Sequence, residues 1–108
     1  MMQAISREQI VKNLEQRRDM VIVEALPQRF FDSGHLPGAI NIPHDEIEQK
    51  AAALLPDKAQ FIVVYCSNKS CGNSTIAVER LQQMGYTNVH KFAEGKENWM
   101  KARLPLEN

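Results

Sequence analysis

The segment FIVVYCSNKSCGNSTIAVERLQQMG, residues 61 to 85, constrains this chain more than any other. Phe61 to Tyr65 is an unbroken apolar run that stops at Cys66, and small or polar residues follow before Ala77, Val78, Leu81 and Met84 recur at helical spacing. An apolar run without alternation is the mark of a strand covered on both faces. The segment therefore predicts a buried strand, a tight loop and a helix ending near Gly85, with a thiol at the carboxyl end of the strand. In open α/β sheets, ligands and reacting groups gather beyond that end, where loops feed helix N-termini. Cys66 is accordingly the candidate nucleophile. A thiol attacks as thiolate, and a free cysteine ionises only near pH 8.5 or so. Ser67, Asn68, Ser70, Cys71, Gly72, Asn73 and Ser74 suit a backbone that curls with its N–H groups inward, and such a nest at the start of a Ser74–Met84 helix holds negative charge without a side-chain cation. Lys69 adds a solvent-screened positive charge. The competing reading, a cysteine acting as a small buried hydrophobe, leaves the composition of that loop unexplained.

The rest of the chain alternates in the same way. Ser6 and Gln9 form a capping-box pattern ahead of Ile10, Val11 and Leu14, which predicts a first helix closed by Arg17, Arg18 and Asp19. Met20 to Val23 is a second apolar, β-branched run, and Ala39 to Ile42 a shorter one after the Gly34–Gly38 turn. Between them Pro27 breaks the chain, and Phe30 and Phe31 are expected to bury. Ile47, Ala51, Leu54 and Leu55 share one helical face; Asn88 to Phe92 reads as a last strand, and Gly95 precedes a helix carrying Met100 and Trp99, the latter expected in the core. Strands alternating with helices, two of them apolar throughout, predict an α/β fold with a parallel sheet covered on both faces, built from residues 1–108 as one domain.

Charge narrows the function. Thirteen basic residues balance thirteen acidic ones, so there is no electrostatic case for nucleic acid or an anionic membrane. The apolar runs fall far short of the roughly 20 residues a membrane span needs, and the N-terminus lacks a basic segment followed by an apolar one. Two cysteines without a secretory signal point to a reducing, cytoplasmic setting. Cys71 lies five positions beyond Cys66, close enough to serve as a resolving thiol or second sulfur carrier if the loop curls, or to be incidental. Zinc is poorly served: two ligands are missing, and His35, His44 and His90 lack metal-ligand spacing, so no metal or cofactor is expected. His35 is expected to bond backbone in its turn. Glu24, ending the first apolar strand, is either an ion-pair partner or a residue of the site's mouth.

Taken together, four segments resemble the rhodanese-like sulfurtransferases. They are Val21-Ile22-Val23-Glu24, Gly34-His35-Leu36-Pro37-Gly38-Ala39-Ile40-Asn41-Ile42-Pro43, Val63-Val64-Tyr65-Cys66, and Gly85-Tyr86-Thr87-Asn88-Val89 with Gly95 and Trp99. The resemblance implies a three-layer fold with about five parallel strands. It also implies a ping-pong reaction in which Cys66 takes a sulfane sulfur, becomes a persulfide and passes it to a nucleophile. Three departures bear on the donor. Cys71 stands where many members have arginine; the loop is about two residues longer, with Asn73 where arginine is usual; and Leu26 and Phe30 replace a common arginine and glutamate. Cys66, Cys71 and Ser74 fit the family's C-x4-C-x2-S variant. The resemblance thus points away from thiosulfate and mercaptopyruvate, and an apolar mouth favouring an organic persulfide or a protein thiol is expected.

Three functions from different classes fit these residues. One is a sulfurtransferase of the thiosulfate sulfurtransferase class, moving sulfur from a small persulfide or thiosulfate donor to a thiol acceptor, protein thiols included, with a monomer as the default. Another is a redox or sulfide-responsive switch that joins Cys66 to Cys71. The last is a binding module of the same fold without efficient chemistry, against which the presence of Cys66 counts. A cysteine phosphatase fits poorly, because Tyr65 precedes the nucleophile and no arginine closes the loop.

Overall fold

A computed structural model of the chain describes residues 3–108. Its elements in order are β1 (Gln3–Ala4), α1 (Arg7–Glu15), β2 (Val21–Glu24), α2 (Gln28–Asp32), β3 (Ile40–Asn41), a 3-10 turn at His44–Glu46, α3 (Ile47–Leu54), β4 (Ile62–Tyr65), α4 (Asn73–Gln83), β5 (Val89–Phe92) and α5 (Gly95–Lys101). The strands form one five-stranded sheet in the order β1-β5-β4-β2-β3, every pair parallel. This is the parallel α/β sheet that the two apolar runs predict.

Strand alternation divides the core into two layers. Val23, Ala25, Ile62 and Val64 pack with Ile47, Ala51 and Leu55 of the α3 segment and Ala77, Val78 and Leu81 of α4. Ile22, Val63, Tyr65 and Phe92 pack on the other face with Ile10 of α1 and Trp99 of α5. β4 lies in the middle of the sheet, and all four of its residues are buried. Helix ends follow their sequence signals. Ser6 Oγ accepts the Gln9 N–H at 3.1 Å, and Gly85, at φ 98°, ends α4 with the Tyr86 N–H on the Leu81 carbonyl and its own N–H on that of Gln82. The Tyr86 hydroxyl then donates to carbonyls at the end of α3, tying the two helices together.

Several side chains depart from their predicted places. The Gln9 amide bonds Asn13 rather than reaching back to close the capping box. Leu54 and Phe30 are 46 and 42% exposed rather than core, and Met100, beside the buried Trp99, is 53% exposed. The periodicity of α3 and α5 is carried by Ile47, Ala51, Leu55 and Trp99 alone, and the short helix α2 turns Phe30 outward while Phe31 stacks on the His35 ring at 3.8 Å between centroids. His35 Nδ1 lies 3.0 Å from the Phe31 carbonyl, the backbone bond expected of it. Its own backbone pairs with Glu107, whose carboxylate accepts the Gly38 N–H, so the turn at 34–38 is strapped down by the C-terminal segment. Among the described residues no helix is long and apolar enough to cross a membrane.

Candidate active site

β4 ends at Tyr65 and delivers Cys66 to the carboxyl edge of the sheet, where the chain arches through residues 67–72 into α4. Because side chains alternate along a strand, Tyr65 points to the α1/α5 layer and Cys66 to the α4 layer. There Sγ of Cys66 lies 3.4 Å from Ser74 Oγ and 3.4 Å from the Cys71 carbonyl. Ser74 sits in the first turn of α4, not ahead of it, because the helix begins at Asn73. Both Cys66 and Ser74 are 1% exposed; Cys71, at the top of the arch, is only half-buried. Both cysteines are free thiols.

The loop amides do turn inward, but they divide between two sulfurs. The Ser74 N–H and hydroxyl face Cys66, whereas the N–H groups of Ser67 and Asn73 and the Ser67 hydroxyl face Cys71. The outcome differs from a nest centred on position 66. Burial pushes the Cys66 thiol up, its hydrogen bond with Cys71 adds to the rise, and Ser74 only partly offsets them. Burial acts upward on Cys71 too, but the Cys66 thiol, the two amides and the Ser67 hydroxyl outweigh it and hold Cys71 below the ordinary cysteine range. Of the pair, Cys71 is the thiol whose ionised form its surroundings favour. With limiting iodoacetamide, peptide mapping should find Cys71 alkylated about tenfold or more ahead of Cys66. As pH is lowered from 9, its alkylation rate should begin to fall only below the pH at which an ordinary thiol's does. Equal labelling would contradict this division.

The remaining loop residues serve the arch. Asn68 accepts the Ser70 N–H on its side chain at 3.0 Å and the Cys71 N–H on its carbonyl at 3.1 Å, folding the turn. Lys69 and Ser70 are exposed on its outer rim, and Gly72 has nothing within 4 Å of where a Cβ would stand. Two surface clefts, about 470 and 450 Å³, flank the loop; the first is lined by Ser67, Lys96, Glu97, Met100 and Lys101, the second by Asn68, Lys69, Ser70 and α5 residues.

α5 holds the loop from behind. The Lys96 and Glu97 N–H groups donate to the carbonyls of Cys66 and Ser67 at 2.9 and 2.8 Å. Gly95, at φ 72°, allows that approach: a Cβ there would stand 2.6 Å from the Cys66 carbonyl oxygen.

Glu24 proves to be an ion-pair partner. It is fully buried, and its Oε1 accepts the Tyr65 hydroxyl at 2.6 Å and Lys96 Nζ at 2.9 Å. The Tyr65 hydroxyl in turn accepts the Leu36 N–H at 3.1 Å, and Lys96 also donates to the Phe30 carbonyl. Burial and the Glu24 charge push Tyr65 far above the usual phenol range, so it stays a donor. The polar partners absent at positions 26 and 30 are thus replaced at Glu24 from elsewhere in the fold. Leu26 is 6% exposed, and a cation from α5 has taken the place beside Glu24. Sequence reading missed Lys96 and the Tyr65 bridge; an acid ending a buried strand was the one signal that a cation had to come from elsewhere.

The sequence profile of the rhodanese-like domain matches residues 6–102. The chain belongs to the rhodanese-like family. This domain is 32% identical over 96% of its length to the HTH-type transcriptional regulator Rv0324 of Mycobacterium tuberculosis, covering 44% of that protein. It is 41% identical over 55% of its length to the thiosulfate sulfurtransferase PspE of Escherichia coli, covering 55% of it. It thus spans about half the length of these relatives. Among solved structures, a thiosulfate sulfurtransferase from Pseudomonas aeruginosa superposes with a TM-score of 0.87 at 25% identity over 99% of this chain and 20% of that one. The BH2092 protein of Bacillus halodurans shares the fold with a TM-score of 0.90 at 22% identity over 98% of this chain and 77% of that one. The five-stranded parallel sheet is that of the rhodanese-like fold.

Proposed function

We propose that this rhodanese-like domain, one unit over residues 1–108, moves a sulfane sulfur from a donor to a thiol or other nucleophile through a persulfide on Cys66. The placement of Cys66 carries the reading. It ends the central strand beneath the first turn of α4, where the Ser74 hydroxyl and N–H meet its sulfur and would steady the anionic outer sulfur of a persulfide. The family, and relatives named as sulfurtransferases, support the reaction class. Two free thiols rather than a disulfide favour a reducing, cytoplasmic setting. No arginine lies in the loop, and Lys96, the half-covered cation behind it, is neutralised by Glu24; an alkyl persulfide therefore suits the site better than dianionic thiosulfate.

The test is steady-state transfer from a donor panel to a small thiol. Cys66→Ser should lower turnover by about a hundredfold or more with every donor, as loss of a nucleophile does. Persulfides should outpace thiosulfate. Undiminished transfer by Cys66→Ser would remove the assignment, and faster turnover with thiosulfate would remove the donor preference.

The cysteine pair and the regulator-named relative favour a second reading, a sulfide-responsive switch. Cys71 would attack the inner sulfur of the Cys66 persulfide, forming a disulfide and releasing sulfide. Mass spectrometry separates the two. Gain of about 32 Da, discharged by added thiol, marks transfer, whereas loss of two hydrogens with both thiols blocked marks the switch.

A further inference from the structure

Within the arch the two thiols have unequal access. Cys66 is 1% exposed, and the backbone of residues 67–74, with the Cys71 carbonyl 3.4 Å from its sulfur, closes over it. Cys71 stands above, half-buried, and its side chain interacts with that of Cys66. The electrostatics follow the same order. The outer thiol has two main-chain amides and the Ser67 hydroxyl to favour its ionised form, while burial disfavours that of the inner thiol. An incoming donor therefore meets a nucleophile at position 71 before anything reactive at position 66.

We infer that Cys71 is the thiol that takes sulfur from the donor, and that Cys66 takes it from Cys71 and holds it beneath Ser74. This rests on the sulfur-transfer reading above and assigns the first step within it. The steps balance without any oxidant. The Cys71 thiolate attacks the outer sulfur of R–S–SH, the donor S–S bond breaks, and R–S⁻ leaves. Cys66 then gives up its proton, which ends on R–S⁻, and attacks the outer sulfur on Cys71. The Cys71 S–S bond breaks, and Cys71 returns as thiolate to the Ser67 and Asn73 amides. Cys66 emerges as the persulfide, with Ser74 supplying its hydroxyl and N–H.

The experiment is a single turnover with glutathione persulfide, quenched by alkylation at successive times and mapped by peptide mass spectrometry. In the wild type, sulfur should appear first on Cys71 and then on Cys66. In Cys66→Ser it should stop on Cys71, loading within about twofold of the wild-type rate. In Cys71→Ser, loading of Cys66 should slow by about tenfold or more, since a covered thiol must then react unaided. Circular dichroism of each variant guards against misfolding as the cause. Loading of Cys66 in Cys71→Ser at the wild-type rate would overturn the relay while leaving sulfur transfer intact. Appearance of sulfide with a Cys66–Cys71 disulfide would overturn it in favour of the switch. A wild type that gains sulfur on neither thiol would overturn both the relay and the reading beneath it.

Discussion

Gly95→Ala should unseat the reactive loop, lowering stability by about 2–5 kcal/mol, the sum of a left-handed backbone forced on an L-residue and an overpacked contact. The new methyl would meet backbone rather than side chains: 2.6 Å to the Cys66 carbonyl oxygen, 2.8 Å to the Ser67 carbonyl carbon and 2.9 Å to the Asn68 nitrogen. No rotamer change relieves such a clash. Either α5 withdraws, breaking the bonds from the Lys96 and Glu97 amides, or the loop shifts and misplaces both sulfurs. Thermal unfolding should show the loss at about 4–8 °C per kcal/mol, and sulfur transfer by the folded fraction should fall with it. Gly72→Ala is the control. That glycine lies inside the loop itself, yet a methyl there meets nothing within 4 Å, and its φ of −84° is open to any residue. It should change stability by less than about 0.5 kcal/mol. A Gly72 variant as damaged as the Gly95 one would contradict the contact geometry.

Lys96→Met should be nearly as costly, by a different route. Glu24 is fully buried and Lys96 only 12% exposed, so removing the ammonium leaves a carboxylate with the Tyr65 hydroxyl as its remaining bond. Breaking one partner out of a buried pair costs about 3–5 kcal/mol, because the surviving charge keeps its desolvation penalty. The double variant Glu24→Gln/Lys96→Met should recover most of that loss, since an amide carries no net charge and still accepts the Tyr65 hydroxyl. Urea unfolding of both single variants and the double closes the cycle. A double variant no more stable than Lys96→Met would mean that the lysine acts through its bond to the Phe30 carbonyl instead.

Both predictions concern contacts that no local pattern announces, and that divides what the chain disclosed from what it hid. β2 and β4 were readable because strands buried on two faces must be apolar throughout, and Cys66 because a thiol ending such a strand before a run of small polar residues has few structural uses. Gly85 announced the end of α4 for an equally local reason, the left-handed residue that a helix stop requires. β1 gave no signal: Gln3 and Ala4 are exposed and become strand only by pairing with His90 and Lys91 of β5. α2 was hidden behind Pro27, and its only strong apolar residues, Phe30 and Phe31, cannot reveal a face by spacing. Lys96 could not be matched to Glu24 because the two meet only once β2 and α5 pack on the same layer. The division of amides between Cys66 and Cys71 was equally out of reach. Composition announces that a loop can hold negative charge; only the curl of the chain decides which sulfur receives it.

The grip of α5 on the loop sets how the site can move. Its first free amides end on the carbonyls of Cys66 and Ser67, so the inner half of the arch is bolted to the same helix that Trp99 anchors in the core. Lys69 and Ser70 face solvent on the rim, while the Cys71 and Gly72 carbonyls are met by the Cys66 thiol and the Ile76 N–H. The thiol-bearing arch is thus pinned at both ends, by α5 behind Cys66 and by α4 beyond Gly72, and opens to solvent at its rim alone.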